Sequence, residues 1–405
     1  MERGTLFNIK KILLHARNLS PYYQKRFKDI DIDNLTQKSF QDIPILNKRE
    51  IVGIEDSLLT QENNSALSKE YTSGSTGNPL TCYKGRSEVF VKTKDLWGLR
   101  KHRGNIDTKD LYGMFYAFTE DDFCTDSVQY IDNKIYLSML DMTPQKLDLY
   151  YSILVEKKPK WLLGVPSALY IFSNHIIEKG YDAENLSIQY IETNGEMLFD
   201  YQAKAIEKAF GKIVFNHYGC REFWCLGMSC QSGNIHSLSK RFYYEVINQD
   251  SKGFGELVIT DLYNKTWPLI RYFVGDLVRL RNITCECGDT NPVIDVTGGR
   301  TQEYLKIGEW IANPILFHYA VMKVNRSFGD AIRQFKVTQY KEDALLIELV
   351  KGKLFTDKTL DMLRMELKEK LPPDVTLDIK DRDILKFKSN KHKYFIPYDG
   401  RGVHV

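Results

Sequence analysis

The sequence predicts an α/β protein, with a large α/β body over residues 1–300 and a small α+β domain over residues 301–405. Strand-like and helix-like segments alternate through the middle of the chain, which is typical of a parallel sheet. After Gly299 and Arg300 the pattern changes to a hairpin, a helix and a further strand. The 405 residues are enough for two or three domains of roughly 150 residues each.

The first predicted elements are a helix and a connector. Apolar residues recur at helical spacing between Leu6 and Ala16, so an amphipathic helix is predicted there. The segment 42–46 is predicted to be extended, because the residue before Pro44 is disfavoured in the α region.

The middle of the chain is predicted to contain a βαβ unit, whose crossover makes the sheet parallel. Upstream, a helix is predicted to begin at Pro166 and to end near Gly180. The elements of the βαβ unit are a strand over 187–192, a loop over 193–196, a helix over 199–210 followed by Gly211, and a strand over 212–216.

The last hundred or so residues are predicted to form a domain of ordinary size. Its boundary is placed at 300–302. Its elements are a hairpin over 334–340 and 344–350, a helix over 356–371 and a strand over 375–380.

Composition and charge exclude several classes of protein. The 56 basic and 53 acidic residues give a net charge of +3, so nothing in the charge favours a nucleic acid or an anionic membrane as partner. The longest apolar stretch, 161–172, is too short to span a bilayer, and the N-terminus has no apolar core of the secretory kind. A cytoplasmic protein is therefore predicted. Its seven cysteines are expected to be thiols or metal ligands.

A loop of glycines and hydroxyl side chains, here called the hydroxyl loop, is the first candidate site. Its backbone N–H groups and hydroxyls could converge on one anion, but it lacks the lysine of a Walker A loop. The charge of a phosphate must then be balanced from elsewhere. The alternative is an ordinary Gly/Ser turn between strands. The candidate phosphate-binding residues are Ser73, Gly74, Ser75, Thr76 and Gly77.

Two loops follow the ends of the predicted strands, where ligands of open α/β sheets bind. They are Asn194-Gly195-Glu196 and Tyr218-Gly219-Cys220-Arg221-Glu222. Glu222 is a candidate Mg²⁺ ligand, because a hard cation that bridges phosphates takes one or two carboxylates. The alternative is a surface carboxylate that begins a helix.

Two further motifs lie later in the chain. Asp276 is predicted in a turn after a strand, where its carboxylate could accept hydrogen bonds from both ribose hydroxyls of a nucleotide. Gly298-Gly299-Arg300 lies at the predicted domain boundary. Taken alone, a simple turn and a Gly-rich linker are the alternative interpretations.

In this order and spacing the four motifs resemble those of the adenylate-forming superfamily, which contains acyl-CoA synthetases, nonribosomal adenylation domains and luciferases. The hydroxyl loop is similar to its phosphate loop, and Tyr218–Glu222 is similar to its YGxTE motif. Gly275-Asp276 is similar to its TGD motif, and Gly299-Arg300 to its GR hinge motif. The segments HARNLSPYYQKRF and DIPILNKREI look like the phenylacetate–CoA ligase branch and its capsule-associated relatives. The resemblance covers nearly the whole chain.

The resemblance implies an AMP-forming acid–thiol ligase that uses ATP and Mg²⁺. A substrate carboxylate attacks the ATP α-phosphate, acyl-AMP and pyrophosphate form, and an acceptor thiol then takes the acyl group. The implied roles are phosphate binding for 73–77, Mg²⁺ binding for Glu222, ribose binding for Asp276 and Arg300, and adenine binding for Tyr218 with Gly219 and for Asn194, Gly195 and Glu196.

The resemblance also assigns a catalytic lysine. The family motif normally ends in SGK, and here it reads Ser389-Asn390-Lys391, so Lys391 is the implied residue. Lys388 and Lys393 are rivals, and a solvated basic face is the alternative. Because this lysine and the acceptor need the same acyl-adenylate in turn, residues 301–405 are expected to rotate about a hinge at 301–303.

Departures from the family motifs leave the activity open, and the acceptor is open as well. Val274 replaces the Thr of TGD. Arg221 replaces the usual Thr of YGxTE, and Gln302 replaces the usual Asp or Lys of the hinge. CoA is the implied acceptor, but capsule-associated relatives keep a different acceptor open. A non-catalytic nucleotide-binding protein on the same fold is the second alternative. The aromatic segments 112–130 and 161–167 favour an aryl or short acyl acid.

Four soft or borderline ligands form two short clusters. Cys230 and His236 are one pair, and Cys285 and Cys287 are the other. Such a set suits a structural, tetrahedral Zn²⁺, although the spacing is not that of a standard finger. The alternative is four reduced groups that lie in loops by coincidence. Cys220 and Cys225 are possible substitutes, and similar pairs in phenylacetate–CoA ligase-like proteins favour the zinc interpretation.

Overall fold

The computed structural model describes residues 3–60, 67–72, 80–116, 127–139, 142–300, 305–312, 314–329, 331–383, 385 and 394–398. At 298–300, 311 and 315 it describes the backbone alone. The chain divides into two compact units. The first contains residues 1–107 and 217–297, and the second contains residues 108–216 and 298–405.

Helices and strands alternate along much of the chain, and none of the described helices is long and apolar enough to cross a membrane. The helices are α1 (Arg3–Leu19), α2 (Pro21–Arg26), α3 (Gln37–Gln41), α4 (Lys48–Ile51), α5 (Arg86–Gly104), α6 (Pro144–Lys157), α7 (Pro166–Lys179), α8 (Asp200–Phe210), α9 (Ile315–Phe328) and α10 (Asp357–Lys368), with 3₁₀ helices at Glu55–Leu58 and Ala183–Leu186.

The strands are β1 (Ser68–Tyr71), β2 (Thr81–Lys84), β3 (Tyr112–Tyr116), β4 (Val128–Ile131), β5 (Lys134–Ser138), β6 (Trp161–Gly164), β7 (Tyr190–Asn194), β8 (Val214–Tyr218), β9 (Gly227–Ser229), β10 (Ile235–Ser237), β11 (Phe242–Ile247), β12 (Gly255–Asp261), β13 (Tyr272–Arg281), β14 (Val293–Arg300), β15 (Leu305–Ile307), β16 (Trp310–Ala312), β17 (Ile332–Lys341), β18 (Ala344–Lys351), β19 (Thr376–Asp381) and β20 (Phe395–Ile396).

The first unit contains a sheet and a separate hairpin. In the sheet the strands lie in the order β11-β12-β13-β14-β10-β9-β8, and the hairpin pairs β1 with β2 in antiparallel fashion. Large aromatic side chains such as Tyr23, Trp267 and Tyr272 are almost completely buried in its core. Burial of this much apolar surface is the main stabilising contribution to such a unit.

Arg271 fastens the N-terminal segment to this unit. Its guanidinium donates to the carbonyl oxygens of Gln41 and Ile43 and pairs with Glu245, 3.1 Å away. The connector continues as a bridge in which the Leu46 N–H donates to the Arg271 carbonyl over 2.8 Å. The extended segment predicted over 42–46 begins later than expected, because Asp42 still has α-region backbone as the C-cap of α3, while Leu46 forms the bridge to Tyr272.

The second unit contains two sheets and two apolar cores. In the larger sheet β7, β6, β3 and β5 run parallel, and β4 adds an antiparallel edge. Helices α6, α7 and α8 pack against it around Leu169 and Phe172. The smaller sheet, in the order β19-β18-β17-β20, packs on α9 and α10 around Phe317 and Leu363.

The predicted α/β fold is confirmed, and most of the predicted helices and strands lie where expected. Helix α7 ends at Gly180, with φ of 64°, and α8 ends at Gly211, with φ of 62°, as the glycine signals indicate. The hairpin β17–β18, helix α10 and strand β19 also correspond to predicted elements.

The strand predicted over 187–192 begins and ends later than expected. It covers Tyr190–Asn194, and its first four residues are all buried instead of alternating. The reason is its parallel neighbour β6, whose Trp161 lies opposite Tyr190: a parallel strand inside a sheet is covered on both faces. The predicted loop at 193–196 therefore begins two residues too early.

The turn predicted around Asp276 is also wrong, because strand β13 continues through it to Arg281. Gly275 has a φ of 90°, and the pairing with β12 shifts register there, from Val258 opposite Phe273 to Glu256 opposite Leu277. The glycine thus marks a bulge inside a strand and not its end.

Candidate functional site

The turn after β8 is shaped by Gly219. A Cβ atom at this position would lie 1.7 Å from the Trp224 carbonyl oxygen, so only glycine fits. The chain closes through hydrogen bonds from the Phe223 and Trp224 N–H groups to the Cys220 carbonyl, at 3.2 and 2.7 Å. Trp224 has a φ of 69°, which is uncommon for a large side chain and fits a tightly constrained turn.

Two side-chain hydrogen bonds join strand β13 to the end of β8 and to the turn that follows it. The Tyr218 hydroxyl donates to Asp276 Oδ2 over 2.8 Å, and the Tyr272 hydroxyl donates to Glu222 Oε1 over 2.9 Å. Two predicted carboxylates, Glu222 and Asp276, are therefore held by phenol groups in one unit. Sequence reasoning missed Tyr272, although it lies in the same IRYFVGD segment as Asp276.

Burial and negative charge fix the protonation of the groups beside Glu222. Desolvation raises the pKa of Tyr272 well above its usual value, and the Glu222 charge adds to this effect. Desolvation likewise raises the pKa of Cys220, again with a contribution from Glu222. The Tyr272 phenol and the Cys220 thiol therefore stay protonated at neutral pH. Neither group adds a negative charge beside the Glu222 carboxylate.

The hydroxyl loop itself, Ser73 to Gly77, lies outside the described residues, but both of its ends are described. The Thr72 N–H donates to the Leu80 carbonyl over 3.0 Å, and the Leu80 N–H donates to Thr72 Oγ1 over 2.8 Å. Lys48 Nζ donates to the same Thr72 hydroxyl over 3.2 Å. Hydrogen bonds thus join Thr72 and Leu80, the two described residues that flank the loop, and the Lys48 ammonium lies beside Thr72.

The Asn194–Glu196 loop belongs to the second unit. Gly195 has a φ of 80°, which favours glycine, and the Ser167 N–H donates to Glu196 Oε2 over 3.1 Å. Ser167 lies in the first turn of α7, so the Glu196 carboxylate accepts from a free helix N–H and complements the helix dipole. Glu196 of the predicted adenine loop is therefore held by a hydrogen bond to the start of α7.

The two cysteine and histidine pairs converge in the first unit. One ligand atom from each of Cys230, His236, Cys285 and Cys287 lies within 4.8 Å of the others. Cys230 Sγ is 3.7 Å from Cys285 Sγ, and Cys287 Sγ is 3.3 Å from His236 Nε2. Tetrahedral Zn²⁺ with bonds of about 2.0–2.3 Å separates its ligand atoms by about 3.5–3.8 Å, so the four groups fit this ion.

The surroundings of the cluster orient its ligands. His236 Nδ1 lies 3.0 Å from the Asn291 carbonyl, which favours a proton on Nδ1 and leaves Nε2 to face the thiols. The Asn234 side chain donates to Cys285 Sγ over 3.4 Å. A backbone N–H from Cys287 and this amide lower the pKa of Cys285 to about 6, which favours the thiolate. The substitutes Cys220 and Cys225 lie outside the cluster.

The comparisons with known proteins agree on one kind of fold. No protein-family model matches the chain. The crystal structure of 2-hydroxyisobutyryl-CoA ligase in the postadenylation state in complex with R3-HIB-AMP matches 98% of this chain and 89% of its own, with a TM-score of 0.75 and 16% identity. This match extends over both units. The chain has the fold of an adenylate-forming enzyme.

The curated relatives of this chain are distant, and the matches span only part of their length. CapK of Staphylococcus aureus is 24% identical over 284 residues, 66% of this chain and 60% of CapK. The phenylacetate–coenzyme A ligase of Thermus thermophilus is 22% identical over 319 residues, 74% and 70% of the two chains. Indoleacetate–lysine synthetase of Pseudomonas savastanoi is 25% identical over 260 residues, 62% and 63%. The predicted resemblance to the adenylate-forming superfamily is confirmed, since relatives and structures point to the same group.

The described residues bring together part of the predicted site. Tyr218, Gly219, Glu222 and Asp276 are adjacent in the first unit, and Asn194, Gly195 and Glu196 form one loop in the second. Of Arg300 only the backbone, at the end of β14, is described. The hydroxyl loop, the hinge with Gln302, and Lys391 with its rivals Lys388 and Lys393 lie outside the described residues, so their roles remain predictions.

Proposed function

We propose that this chain is an ATP-dependent ligase that activates a carboxylic acid as its acyl- or aryl-adenylate. The observation that carries the proposal is the double pairing of the turn after β8 with β13. Tyr218 and Asp276 are 58 residues apart, and Tyr272 and Glu222 are 50 apart, yet both pairs are joined by hydrogen bonds. Tyr218, Glu222 and Asp276 lie in the segments that resemble the YGxTE and TGD motifs, so their proximity supports a shared nucleotide site.

In the proposed reaction the protein positions reactants and balances charge. Asp276, oriented by Tyr218, would accept hydrogen bonds from the ribose of ATP. The hydroxyl loop would donate to the β- and γ-phosphates, and Lys391 would neutralise charge between the carboxylate and the α-phosphate. Attack of the carboxylate oxygen on the α-phosphate forms the acyl–phosphate bond, and the bond to pyrophosphate breaks.

Glu222 fits the proposed Mg²⁺, because it offers a carboxylate oxygen in a partly exposed position and hydrogen bonding from Tyr272 orients it. The bound ion would supply countercharge to the phosphates. The chain's own contribution is to hold that carboxylate still, since the Tyr272 ring is buried and its hydroxyl stays protonated.

A second proposed metal is a structural Zn²⁺ at Cys230, His236, Cys285 and Cys287. Three sulfur ligands and one imidazole satisfy a tetrahedral ion completely and leave no open position for a substrate. This argues for a role in folding and against a role in the reaction.

For the acceptor, CoA is the first candidate and an amine the second. The ligases for CoA among the relatives and structures support a thioester product. Indoleacetate–lysine synthetase, whose name specifies an amino acid as one ligation partner, supports an amide product. Supplying a purified acyl-adenylate with either CoA or lysine separates these candidates by the product formed.

Pyrophosphate exchange across a panel of aryl, aliphatic and amino acids tests the activation step and shows which class of acid is the substrate. Glu222→Gln and Asp276→Ala should each reduce exchange by roughly 100-fold or more, because each removes a group that orients the nucleotide. Lys391→Ala should abolish exchange and leave transfer from supplied acyl-AMP largely intact.

Asp29→Ala is the matched control, since this carboxylate in the same unit has an exposed side chain and should leave exchange unchanged. Full exchange in both Glu222→Gln and Asp276→Ala would disprove the assigned nucleotide site. Absence of exchange with every acid tested would favour the non-catalytic alternative. Equal slowing of both steps by Lys391→Ala would direct attention to Lys388 and Lys393.

A further inference from the structure

A buried ion pair connects the β1–β2 hairpin to the turn after β8. Lys84 Nζ donates to Glu70 Oε2 over 2.6 Å and to the Arg221 carbonyl over 2.7 Å. The Lys84 side chain is only 1% exposed, and its ammonium lies 4.7 Å from the centre of the Trp224 ring. A buried ammonium is tolerated only when hydrogen bonds and an opposite charge replace water, so this geometry is strongly fixed.

Glu70 makes the connection from the other strand of the hairpin. Trp224 Nε1 donates to its two carboxylate oxygens over 3.1 and 3.0 Å. The Arg221 guanidinium is 3.8 Å from the same carboxylate. Both strands therefore contact the turn: β2 through Lys84 and β1 through Glu70. We refer to Glu70, Lys84 and Trp224 as the clamp.

The clamp lies between two parts of the proposed nucleotide site. The hydroxyl loop begins at Ser73, three residues after Glu70 in the sequence, and Glu70 itself lies in strand β1. Glu222 lies two residues before Trp224 in the same turn. Fixing Glu70 and Lys84 against Trp224 and Arg221 thus fixes the base of the loop relative to Glu222.

We propose that Glu70, Lys84 and Trp224 are positioning residues that hold the described base of the hydroxyl loop, Thr72 and Leu80, in register with Glu222, so that phosphates and Mg²⁺ bind as one unit. The inference rests on the proposed function, because it takes the loop as the phosphate site and Glu222 as the ligand. The clamp acts by fixing the strands that carry the two ends of the loop against the turn that carries Glu222, and small displacements in such sites have large effects.

A second buried ion pair supplies a matched control. Lys92 Nζ lies 3.2 Å from Asp261 Oδ2, and the two side chains are 5% and 1% exposed. This pair joins helix α5 to strand β12, while the clamp joins the hairpin to the turn. Desolvation lowers the pKa of Lys84 and repulsion from Lys92 lowers it further, so removing Lys92 leaves Lys84 protonated and the contacts of the clamp in place. Removing either lysine leaves one buried carboxylate without its main partner, so both changes should lower stability.

The experiment is calorimetric titration of the full chain with ATP, in the absence and presence of Mg²⁺, together with thermal melting. Lys84→Met should weaken MgATP binding by roughly tenfold to a hundredfold and metal-free ATP binding much less, so that the gain from Mg²⁺ shrinks. Trp224→Phe keeps the ring under Lys84 and removes one N–H donor, so a smaller loss of the same kind is expected. Lys92→Met should lower the melting temperature and keep the full gain.

The outcomes separate positioning from general destabilisation. If Lys84→Met does not fold, Trp224→Phe against Lys92→Met decides the question. The proposal is overturned if Mg²⁺ raises the ATP affinity of Lys84→Met as much as that of the wild type; if Lys84→Met does not fold, the same result in Trp224→Phe overturns it. An equal loss of this affinity gain in Lys92→Met also overturns the proposal. A wild type that binds MgATP but exchanges no pyrophosphate contradicts the proposed ligase function alone, whereas a wild type that binds no MgATP contradicts both.

Discussion

At the scale of single residues, Lys84 carries its charge in a buried position, where loss of hydration disfavours the ammonium form. Desolvation lowers its pKa from 10.5 to about 8, and the hydrogen bond and charge of Glu70 oppose that shift. Lys92 from α5 lowers the pKa further by repulsion, and the neighbouring Arg221 offers only its carbonyl to the ammonium. Lys84 is therefore protonated at neutral pH with a small margin.

This margin predicts an alkaline limit on nucleotide binding. As pH rises through about 8, Lys84 loses its proton and its ion pair with Glu70, so the KM for MgATP should rise. Lys84→Arg should remove this pH dependence, because a guanidinium stays protonated throughout the range. Initial rates from pH 7 to 9.5 for both proteins measure the effect. A KM that rises equally in Lys84→Arg would assign the limit to another group.

The stability of the protein should respond to the same proton with the opposite sign. Between pH 8 and 10.5 the unfolded chain still binds a proton on this lysine that the folded chain has released. The free energy of unfolding contributed by Lys84 therefore rises with pH over that window. Loss of binding at alkaline pH would thus not reflect unfolding caused by Lys84.

Glu222, Tyr218 and Asp276 could be predicted from sequence because each belongs to a short motif with its own spacing. Glu70 and Lys84 could not. Their partners are the Trp224 side chain, 154 residues from Glu70, and the Arg221 carbonyl, 137 residues from Lys84. A charged residue on a short strand is normally exposed, and only the three-dimensional fold reveals that this lysine is buried.

At the scale of elements, the proposed zinc site is built from two similar turns. In each, a cysteine is followed three residues later by a glycine whose N–H donates to the cysteine carbonyl over 3.0 Å: Gly233 to Cys230 and Gly288 to Cys285. Both glycines have positive φ, at 77° and 79°. The turns project Sγ atoms toward each other, and His236 is added from strand β10.

Removing the metal should loosen this part of the first unit. We expect about one Zn²⁺ per chain by elemental analysis of protein purified without chelator, and none in the Cys285→Ser/Cys287→Ser double variant. Loss of the ion should lower the melting temperature by on the order of 5 °C or more. Tyr218 and Asp276, the proposed nucleotide-binding residues, lie outside the cluster, so residual MgATP binding is expected at low temperature.

Cys225→Ser is the matched control for the zinc site. This thiol lies near the cluster in sequence, but its Sγ contacts the Gly227 carbonyl, and a serine hydroxyl can make the same contact. The variant should keep its zinc. A zinc-free wild type, or zinc retained in the double variant, would refute the site.

Strand ends were the least predictable features of the fold, for a physical reason. Gly275 and the glycines before Arg300 indicate a turn and a linker, yet β13 and β14 continue through them. A strand ends where its neighbour stops offering hydrogen bonds, and that depends on residues far away in sequence. Helix ends were predicted better, since glycines 180 and 211 act locally.

At the scale of the whole molecule, the C-terminal segment 305–398 makes specific contacts with helices of the second unit. Arg333 forms an ion pair with Glu178 of α7, and Lys353 Nζ donates to the Glu178 carbonyl over 3.4 Å. The His318 ring stacks on Phe199, just before α8, with ring centres 4.2 Å apart. The sequence predicted a separate domain over 301–405 but none of these contacts, since they depend on how two folded surfaces meet.

If residues 301–405 rotate about 301–303 between the two half-reactions, the contacts of Glu178 belong to only one arrangement. Glu178→Gln removes the charge that holds Arg333 and should shift the population away from that arrangement. We expect the rates of adenylation and of acyl transfer to change by roughly threefold or more in opposite directions, because a gain in one population is a loss in the other. Gln302→Pro, which fixes φ near −65°, should give the larger split by trapping one arrangement. Single-turnover rates of each half-reaction measure both effects.

Asp148→Asn is the control, since Asp148 pairs with His175 and Lys179 of the same helix α7 and not with the C-terminal segment. Parallel slowing of both steps in Glu178→Gln, matched by Asp148→Asn, would show that the ion pair stabilises the fold without selecting an arrangement, and would contradict this prediction.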